Sequence, residues 1–341
     1  MRIAVLVPAH NEAVVIEATL GALMEAGRNP ADIYVVDDAS TDDTPRIVAR
    51  CGVNLLALTK NGGKSAALNA AIAHFSICDR YDYVAFLDAD TEVDLQYFAV
   101  LEDAALRQPE VSLFLGQVRS KVGTYITALR TFEYTIGHDL YKMGQSKQGT
   151  VFVAPGCASL YRSDVLRCLT YTSDTLAEDM DLTMQVQRLR KKIVYVQEAM
   201  VYTQDPATLK GYIKQVLRWQ RGGWQVVKKH HVLLLGNWQK VDVMLCLMLL
   251  DALLINRWTI LPPLLFFATQ KMLIACGVFE AGFFVTMALY AWIKSGRADV
   301  FYKLPTYFWV FYILQLTYIW SFVEVFVLRR SVMHWTRVQR Y

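Results

Sequence analysis

Residues 82–90 read DYVAFLDAD, and this stretch decides the fold. A short run of apolar and aromatic residues breaking into Asp-x-Asp has the pattern of a strand buried on both faces that ends at a polar sheet edge. The pattern recurs upstream. Residues 2–8 (RIAVLVP) run apolar to Pro8, residues 32–37 (DIYVVD) to Asp37, and residues 54–59 (NLLALT) form a further run. Between them, residues 11–25, 41–50 and 61–75 have helical spacing, and Asn11 is placed to cap the first helix. Strands alternating with helices over short links predict right-handed crossovers and a doubly wound, mostly parallel sheet. Such sheets bind ligands at the carboxyl ends of their strands. The polar clusters fall at those ends: residues 8–12, 37–40, 60–64 and 88–90.

Asp37 and Asp38 close the second strand, Asp88 and Asp90 close the fourth, and Asp42, Asp43, Glu92 and Asp94 follow. Carboxylates gathered at one sheet edge repel unless something cationic sits among them. Hard oxygen donors suit Mg²⁺ or Mn²⁺ bridging a diphosphate. A solvated turn would explain one isolated Asp-x-Asp, but it explains two clusters at two strand ends poorly. No G-x-x-x-x-G-K-[ST] loop and no G-x-G-x-x-G after the first strand are present, which argues against a P-loop kinase and a nicotinamide dehydrogenase. Lys64, beyond Gly62-Gly63, is a candidate phosphate contact. Its alternative is a solvated lysine at a helix start, where the dipole disfavours a cation.

The chain has 341 residues, 54% hydrophobic and 19% charged, with a formal net charge of +4. That total is a cancellation. Residues 1–185 hold 15 Lys and Arg against 24 Asp and Glu, residues 186–240 hold 11 against 2, and residues 241–341 hold 9 against 5. The last block contains three apolar runs, residues 243–255, 272–293 and 304–328, whose charges are Asp251, Glu280 and Glu324. About 20 apolar residues cross a bilayer as a helix, so the second and third runs qualify. The first is a broken span continuing past Pro262-Pro263, or an interfacial helix. Buried core helices are the alternative, for which a chain of this length lacks a covering shell. MRIAVLVPAHNE has no signal-peptide cleavage pattern, so residues 1–240 are expected in the cytoplasm. Arg329, Arg330, Arg337 and Arg340 favour a cytoplasmic C-terminus as well, which asks for two or four crossings. Six cysteines without a CxxC pair or metal-type spacing to histidine read as free thiols, with no zinc site.

In order, VPAHNE (7–12), DDAS (37–40), NGGKSAALN (61–69), DAD (88–90), AED (177–179) and QVLRW (215–219) resemble glycosyltransferase family 2. More narrowly they resemble its membrane-embedded, often processive branch of chitin-oligosaccharide, poly-N-acetylglucosamine, hyaluronan and cellulose synthases. The resemblance covers the first two thirds of the chain. It implies a GT-A fold, a Rossmann-like catalytic domain over residues 1–204, and an amphipathic interface segment over 205–240. Transmembrane or interfacial helices over 241–328 and a basic tail over 329–341 follow. The implied activity is a membrane-bound, inverting transfer of a sugar, N-acetylglucosamine by first choice, from a UDP-sugar to a growing saccharide. Single addition to a lipid or lipid-linked acceptor is the alternative, and an inactive partner subunit of a synthase is a third.

Carried over residue by residue, the resemblance implies that Pro8, Ala9 and Glu12 line the nucleotide pocket and that Asp38 bonds the base. Lys64 approaches the diphosphate. Asp88 and Asp90 match the metal motif, with Asp90 the direct ligand of Mg²⁺ or Mn²⁺. Gly156 and Cys157 lie beside the acceptor. Asp179, next to Glu178, is the general base, and Gln215, Arg218 and Trp219 form the Gln-x-x-Arg-Trp signature. The residues themselves agree with these roles. Like charge from Glu178 and Asp181 raises a carboxyl such as Asp179 towards a base's working range, although a first-turn carboxylate also complements a helix dipole. Gln215, Arg218 and Trp219 at i, i+3 and i+4 share a helix face, where Arg can clamp phosphate and Trp can stack on a sugar; a snorkelling Arg and an anchoring Trp are the alternative. Arg190, Lys191, Lys192, Lys228 and Lys229 are expected at anionic headgroups, Arg218 at the site, and Arg221 is left open between the two. Basic residues beside an apolar tail and an acidic domain exclude a nucleic-acid partner; an oligomer or partner subunit stays open. Departures from the family pattern are Ala177 where Thr or Ser is usual, His10 for a common Tyr, and no Phe-x-Val-Thr gating segment. The branch usually carries transmembrane helices ahead of its catalytic domain, whereas this sequence opens on the first strand.

Overall fold

A computed structural model describes residues 1–121, 124–230, 243, 246, 270–298, 301 and 303–330. The strands are β1 (Ile3–Ala9), β2 (Ile33–Asp37), β3 (Asn54–Ala57), β4 (Tyr83–Phe86), β5 (Thr91–Val93), β6 (Val111–Ser120), β7 (Ser159–Arg162) and β8 (Lys192–Thr203). The helices are α1 (Ile16–Glu25), α2 (Thr44–Arg50), α3 (Lys64–His74), α4 (Ile77–Arg80), α5 (Tyr97–Arg107), α6 (Tyr125–Ile136), α7 (Met143–Gln148), α8 (Ser163–Leu166), α9 (Glu178–Arg188), α10 (Leu209–His230), α11 (Gln270–Ser295) and α12 (Leu304–Phe322). Two π-helical stretches, Gly137–Lys142 and Val323–Val327, join α6 to α7 and extend α12.

The eight strands form one sheet in the order β3-β2-β1-β4-β7-β6-β8-β5. β1 explains why its sequence is apolar without alternation. Ile3, Val5 and Val7 enter a core layer with Ile16 and Leu20 of α1 and Phe98 of α5, while Ala4 and Leu6 enter the opposite layer with Ala67 and Leu68 of α3 and Leu182 of α9. Both faces are covered, so every residue of the strand gains by being apolar, at roughly 1.5–3 kcal/mol for each large side chain. β3, β2, β1 and β4 are parallel as the alternation predicts. The expectation of a mostly parallel sheet is corrected beyond β4. β7 runs antiparallel to both β4 and β6, β5 runs antiparallel to β8, and β6 pairs β8 in parallel, so the sheet is mixed. The β–α alternation stops after β4, and nothing in a strand's own composition states its direction.

Asn11 does not cap α1. It adopts φ +56°, its Oδ1 accepts the Thr41 N–H at 2.7 Å, and α1 starts at Ile16 after an uncapped Val15. The side chain ties the loop after β1 to the loop after β2, which gives both loops a fixed relation at the sheet edge.

A further layer of helices packs beyond the sheet, which it meets where α6 lies on β6. Ile126, Leu129 and Phe132 of α6 and Tyr212 and Val216 of α10 pack with Phe284 and Ala288 of α11 and Tyr307, Val310 and Leu314 of α12. The last apolar run forms a helix over Pro305–Val327, 23 residues at a mean hydropathy of 1.7, of which 29% is buried. The first apolar run, apart from residues 243 and 246, and most of the basic C-terminal tail lie outside the described residues.

Candidate active site

At the carboxyl ends of β1, β2 and β4 the acidic clusters divide into two kinds. The first is built of hydrogen bonds. Asp38 is buried, and its two carboxylate oxygens accept the N–H groups of Gly62 and Gly63, each at 2.8 Å. Gly63 sits at φ +81°, ψ 165°, a region open essentially to glycine, and so turns its N–H towards Asp38 before α3 begins. Asp37 accepts both the N–H and the hydroxyl of Ser40, and Asp42 accepts from Thr44. Glu12 is buried with its N–H on Thr44 Oγ1 at 2.7 Å. No cation is needed among Asp37, Asp38 and Asp42, because backbone and hydroxyl donors satisfy them. Charge repulsion is thus no argument for a metal at this cluster.

The second cluster does hold a cation. Lys64 Nζ lies 2.6 Å from Asp88 Oδ1 and 3.2 Å from Glu178 Oε1. Burial works against its charge, but Asp88, Glu178 and Asp179 outweigh burial and hold the ammonium protonated far above its ordinary value. Asp179 is in the first turn of α9. Its Oδ1 accepts the Met180 N–H at 2.8 Å, and its Oδ2 faces the Gly156 N–H at 3.4 Å. Burial first, then the charge of Glu178, push its carboxyl up to about 6, with Lys64 opposing. Gly156 lies close to this pair: a Cβ at this position would stand 3.0 Å from Lys64 Nζ, the end of a flexible side chain. Pro8, Lys64, Gly156, Glu178 and Asp179 line one small cavity with Tyr161 and Tyr171. Asp88 is partly exposed at its rim, while Asp90 is buried. The Cys157 thiol is pushed well up by burial first and then by the charges of Asp88 and Asp90, so it stays neutral. Ala9, paired in register with Asp37, is buried in the strand beneath this edge.

Gln215, Arg218 and Trp219 do not line that cavity. The Gln215 side-chain carbonyl accepts from Arg130, and the Arg130 guanidinium lies 4.6 Å from the Trp219 ring centroid and 4.3 Å from that of Tyr212. Arg130 is 2% exposed, bonds Glu133 at 2.8 Å and approaches Asp205 at 3.4 Å. Trp219 remains 38% exposed, so one ring face is left for contact. Among the described residues the Arg218 guanidinium makes no hydrogen bond or ion pair. Arg130 was not singled out by motif reading. The signal was present as Arg-x-x-Glu (130–133) inside an otherwise apolar helical pattern.

Arg221, Lys228 and Lys229 of α10 have partners within the protein. Arg221 is turned from the cluster and pairs with Glu324 through both oxygens, at 2.6 and 2.9 Å. Lys229 pairs with Asp174 and Asp181, each at 2.9 Å, and Lys228 reaches the Val325 carbonyl at 3.4 Å, while both residues stay exposed. α10 meets the loop ahead of Asp179 through Gly222, whose absent Cβ would stand 2.7 Å from Ala177, and through Gln225, whose Oε1 accepts the Leu176 N–H at 2.8 Å.

Residues 4–170 match the family described as Glycosyl transferase family 2. The poly-beta-1,6-N-acetyl-D-glucosamine synthase of Staphylococcus epidermidis is 28% identical over 247 residues, covering 70% of this chain and 57% of that protein. The synthase of Staphylococcus aureus (strain COL) is 28% identical over 229 residues, 65% of this chain and 54% of that protein. The chain thus spans little more than half the length of these curated relatives. The mannosyltransferase PcManGT from Pyrobaculum calidifontis, solved in complex with GDP-Man and Mn²⁺, superposes with a TM-score of 0.64 over 94% of this chain and 87% of that one, at 19% identity. That likeness speaks for the fold.

Proposed function

The chain belongs to glycosyl transferase family 2 through residues 4–170, with a GT-A-like α/β fold, and from that premise we propose that it is a membrane-bound, inverting β-glycosyltransferase. Its donor is a UDP-sugar, by first choice UDP-N-acetylglucosamine, and its acceptor a growing saccharide. The observation that carries this reading is the second cluster, in which Asp179, held up to about 6, lies beside Gly156 and Lys64. The poly-N-acetylglucosamine synthases among its relatives support the choice of sugar.

Asp179 takes the proton of the acceptor hydroxyl. The hydroxyl oxygen forms a bond to the anomeric carbon from the face opposite the diphosphate, and the carbon–oxygen bond to the diphosphate breaks with its electron pair. Configuration inverts, and the products are the extended saccharide and UDP. Lys64 exchanges Asp88 and Glu178 for the diphosphate oxygens as charge develops there. Glu178 keeps Asp179 basic. Arg218 supplies a cation near the leaving group, and the exposed face of Trp219 carries the acceptor sugar. Asp38 fixes Gly62-Gly63, which sets where Lys64 starts, and reaches the base from the loop it shares with them; Pro8, Ala9 and Glu12 form the wall, and Cys157 the acceptor side.

Among the described residues no three His, Cys, Asp or Glu side chains converge to hold an ion by themselves. Two oxygen donors, Asp90 and Asp88, suit Mg²⁺ or Mn²⁺ completed by the donor's phosphates. When bound, the ion neutralises the diphosphate.

The helix over Pro305–Val327 spans roughly 35 Å at ~1.5 Å per residue, enough to cross the hydrocarbon core, and Trp309, Leu316 and Trp320 are exposed along it. It supports a membrane location; a catalytic domain over residues 1–204 facing the cytoplasm and an interface segment over 205–240 belong to the proposal as read from the sequence. Membranes carrying the protein, incubated with radiolabelled UDP-sugars and Mn²⁺, are expected to yield a ladder of products from UDP-N-acetylglucosamine. A single addition selects the lipid-linked acceptor instead, and no UDP release from any UDP-sugar ends the reading.

A further inference from the structure

α10 is held on two sides by different partners. On one side it grips the end of α12. Arg221 pairs bidentately with Glu324, which is 4% exposed within an apolar helix. Trp224 is buried against Tyr318, Phe322 and Phe326 and donates its Nε1–H to the Tyr318 carbonyl at 3.4 Å, and Gln220 reaches the Leu314 carbonyl at 3.1 Å. The π-helical register of Val323–Val327 turns Glu324 and Val325 inward together. On the other side α10 grips the segment that leads into the base. Gly222 lies against Leu176 and Ala177, Gln225 accepts the Leu176 N–H, and His230 and Lys229 hold Asp181 at 2.8 and 2.9 Å. Asp181 is two residues beyond Asp179 in α9, so residues 174–181 are held on both flanks of the base.

We propose that Gly222, Gln225 and the Arg221–Glu324 pair are positioning residues for Asp179: through α10 they fix the loop ahead of the base to the apolar helix α12. The proposal rests on the reading of Asp179 as the base. The alternative is that each contact is ordinary packing with no bearing on where Asp179 stands. Geometry favours positioning. The contacts alternate along one helix, with Gln220, Arg221, Trp224 and Lys228 facing α12 and Gly222, Gln225, Lys229 and His230 facing the loop, so a shift of α12 is passed rigidly to residues 176–179. A displacement of about 1 Å at a reacting group can cost on the order of 100-fold in rate. The Glu324 carboxylate is buried and matched by two N–H groups, and removing its charge leaves a partly buried Arg221 unpaired, which is more disruptive than removing both partners.

The test uses the full chain in nanodiscs, with three variants: Gln225→Ala, Glu324→Gln, and the charge-free pair Arg221→Met/Glu324→Leu. Amide exchange over residues 172–177 is expected to rise about tenfold in Gln225→Ala and Glu324→Gln, with protection of β1 and β4 kept. The kcat is expected to fall on the order of 10-fold, with KM for the UDP-sugar unchanged. The charge-free pair is expected to recover both protection and kcat to within a few-fold of the parent. Unchanged exchange over residues 172–177 in Gln225→Ala, with protection of β1 and β4 kept as the control for folding, overturns the proposal. So does a failure of the charge-free pair to recover what Glu324→Gln loses. Exchange needs no turnover, so a parent protein that transfers no sugar would remove the proposed function while leaving the linkage through α10 measurable.

Discussion

Asp179 and Lys64 oppose one another across less than a side chain's length, and the balance fixes a working pH. Burial and Glu178 push the Asp179 carboxyl up to about 6, while Lys64 pulls it down. A base acts when deprotonated, so kcat/KM is expected to fall tenfold per pH step below about 6 and to level off above it. Asp179→Asn is expected to remove that acidic limb together with about 10²–10⁴ of the rate. Lys64→Met removes the opposing cation, so its acidic limb is expected to move to higher pH. A pH–rate series on the three proteins checks this, and a limb that stays in place in Lys64→Met would show that Lys64 does not touch the titrating group. The residues of this pair were legible as Asn-Gly-Gly-Lys and Ala-Glu-Asp, 113 positions apart by their Lys64 and Ala177 numbers. That Lys64 stands on Asp88 and Glu178 was not legible, because these partners lie 24 and 114 residues along the chain and meet it only through tertiary packing. Arg130 escaped motif reading for the same reason. Its partners Gln215, Asp205 and Trp219 come from more than 70 residues away, and no local pattern encodes them.

At the scale of an element, α10 carries two adjacent glycines with different tasks. A Cβ on Gly222 would stand 2.7 Å from Ala177, whereas one on Gly223 would meet nothing closer than Met180 Sδ at 3.9 Å. Gly222→Ala is therefore expected to cost about 1–3 kcal/mol through overpacking. Gly223→Ala is expected to be neutral or to gain a few tenths, since helical Gly is worse than Ala by about 0.5–1 kcal/mol. Thermal unfolding of the two variants side by side checks the contrast, and equal melting temperatures would refute it. The end of the same helix carries a pH-dependent brace. Burial raises the Asp181 carboxyl, but His230 and Lys229 outweigh it and hold it at about 2, below its ordinary 3.8. A lowered carboxyl stabilises above its unfolded value and loses that contribution as pH falls through its folded one, so about 2 kcal/mol is expected to vanish between roughly pH 4 and 2. Denaturant midpoints of the parent and Asp181→Asn should converge across that window. The spacing of Gln215, Arg218 and Trp219 correctly placed them on one helix. What that face meets was not deducible, because Arg130 and the Leu176–Ala177 loop reach α10 through tertiary packing.

At the scale of the whole molecule, the charge blocks translate into layers. The acidic block holds strands β1 to β7, the basic block holds β8 and α10, and the apolar block supplies α11 and α12. The parallel half of the sheet was readable because β–α alternation leaves few topologies, whereas the direction of β7 was decided by pairing with β4 and β6, which no composition reveals. Of the apolar runs read as membrane-sized, the last forms a helix over Pro305–Val327 long and apolar enough to cross a membrane, and large apolar side chains stand exposed on it and on α11. Ile274, Val278, Ile293, Trp309, Leu316 and Trp320 are all exposed on α11 and α12, in a protein whose other large apolar residues mostly lie in four packed clusters. On the proposed membrane location, lipid covers these side chains at no cost in unsatisfied backbone, because both segments are helical. Reconstituted in vesicles of brominated lipid, the protein is therefore expected to lose tryptophan fluorescence. The loss should shrink in Trp309→Phe and Trp320→Phe and persist in Trp224→Phe, whose indole is packed inside against Tyr318 and Phe322. Quenching that depends on Trp224 but not on Trp309 or Trp320 would mean that α12 turns its exposed side elsewhere, and that the bilayer is not what covers it.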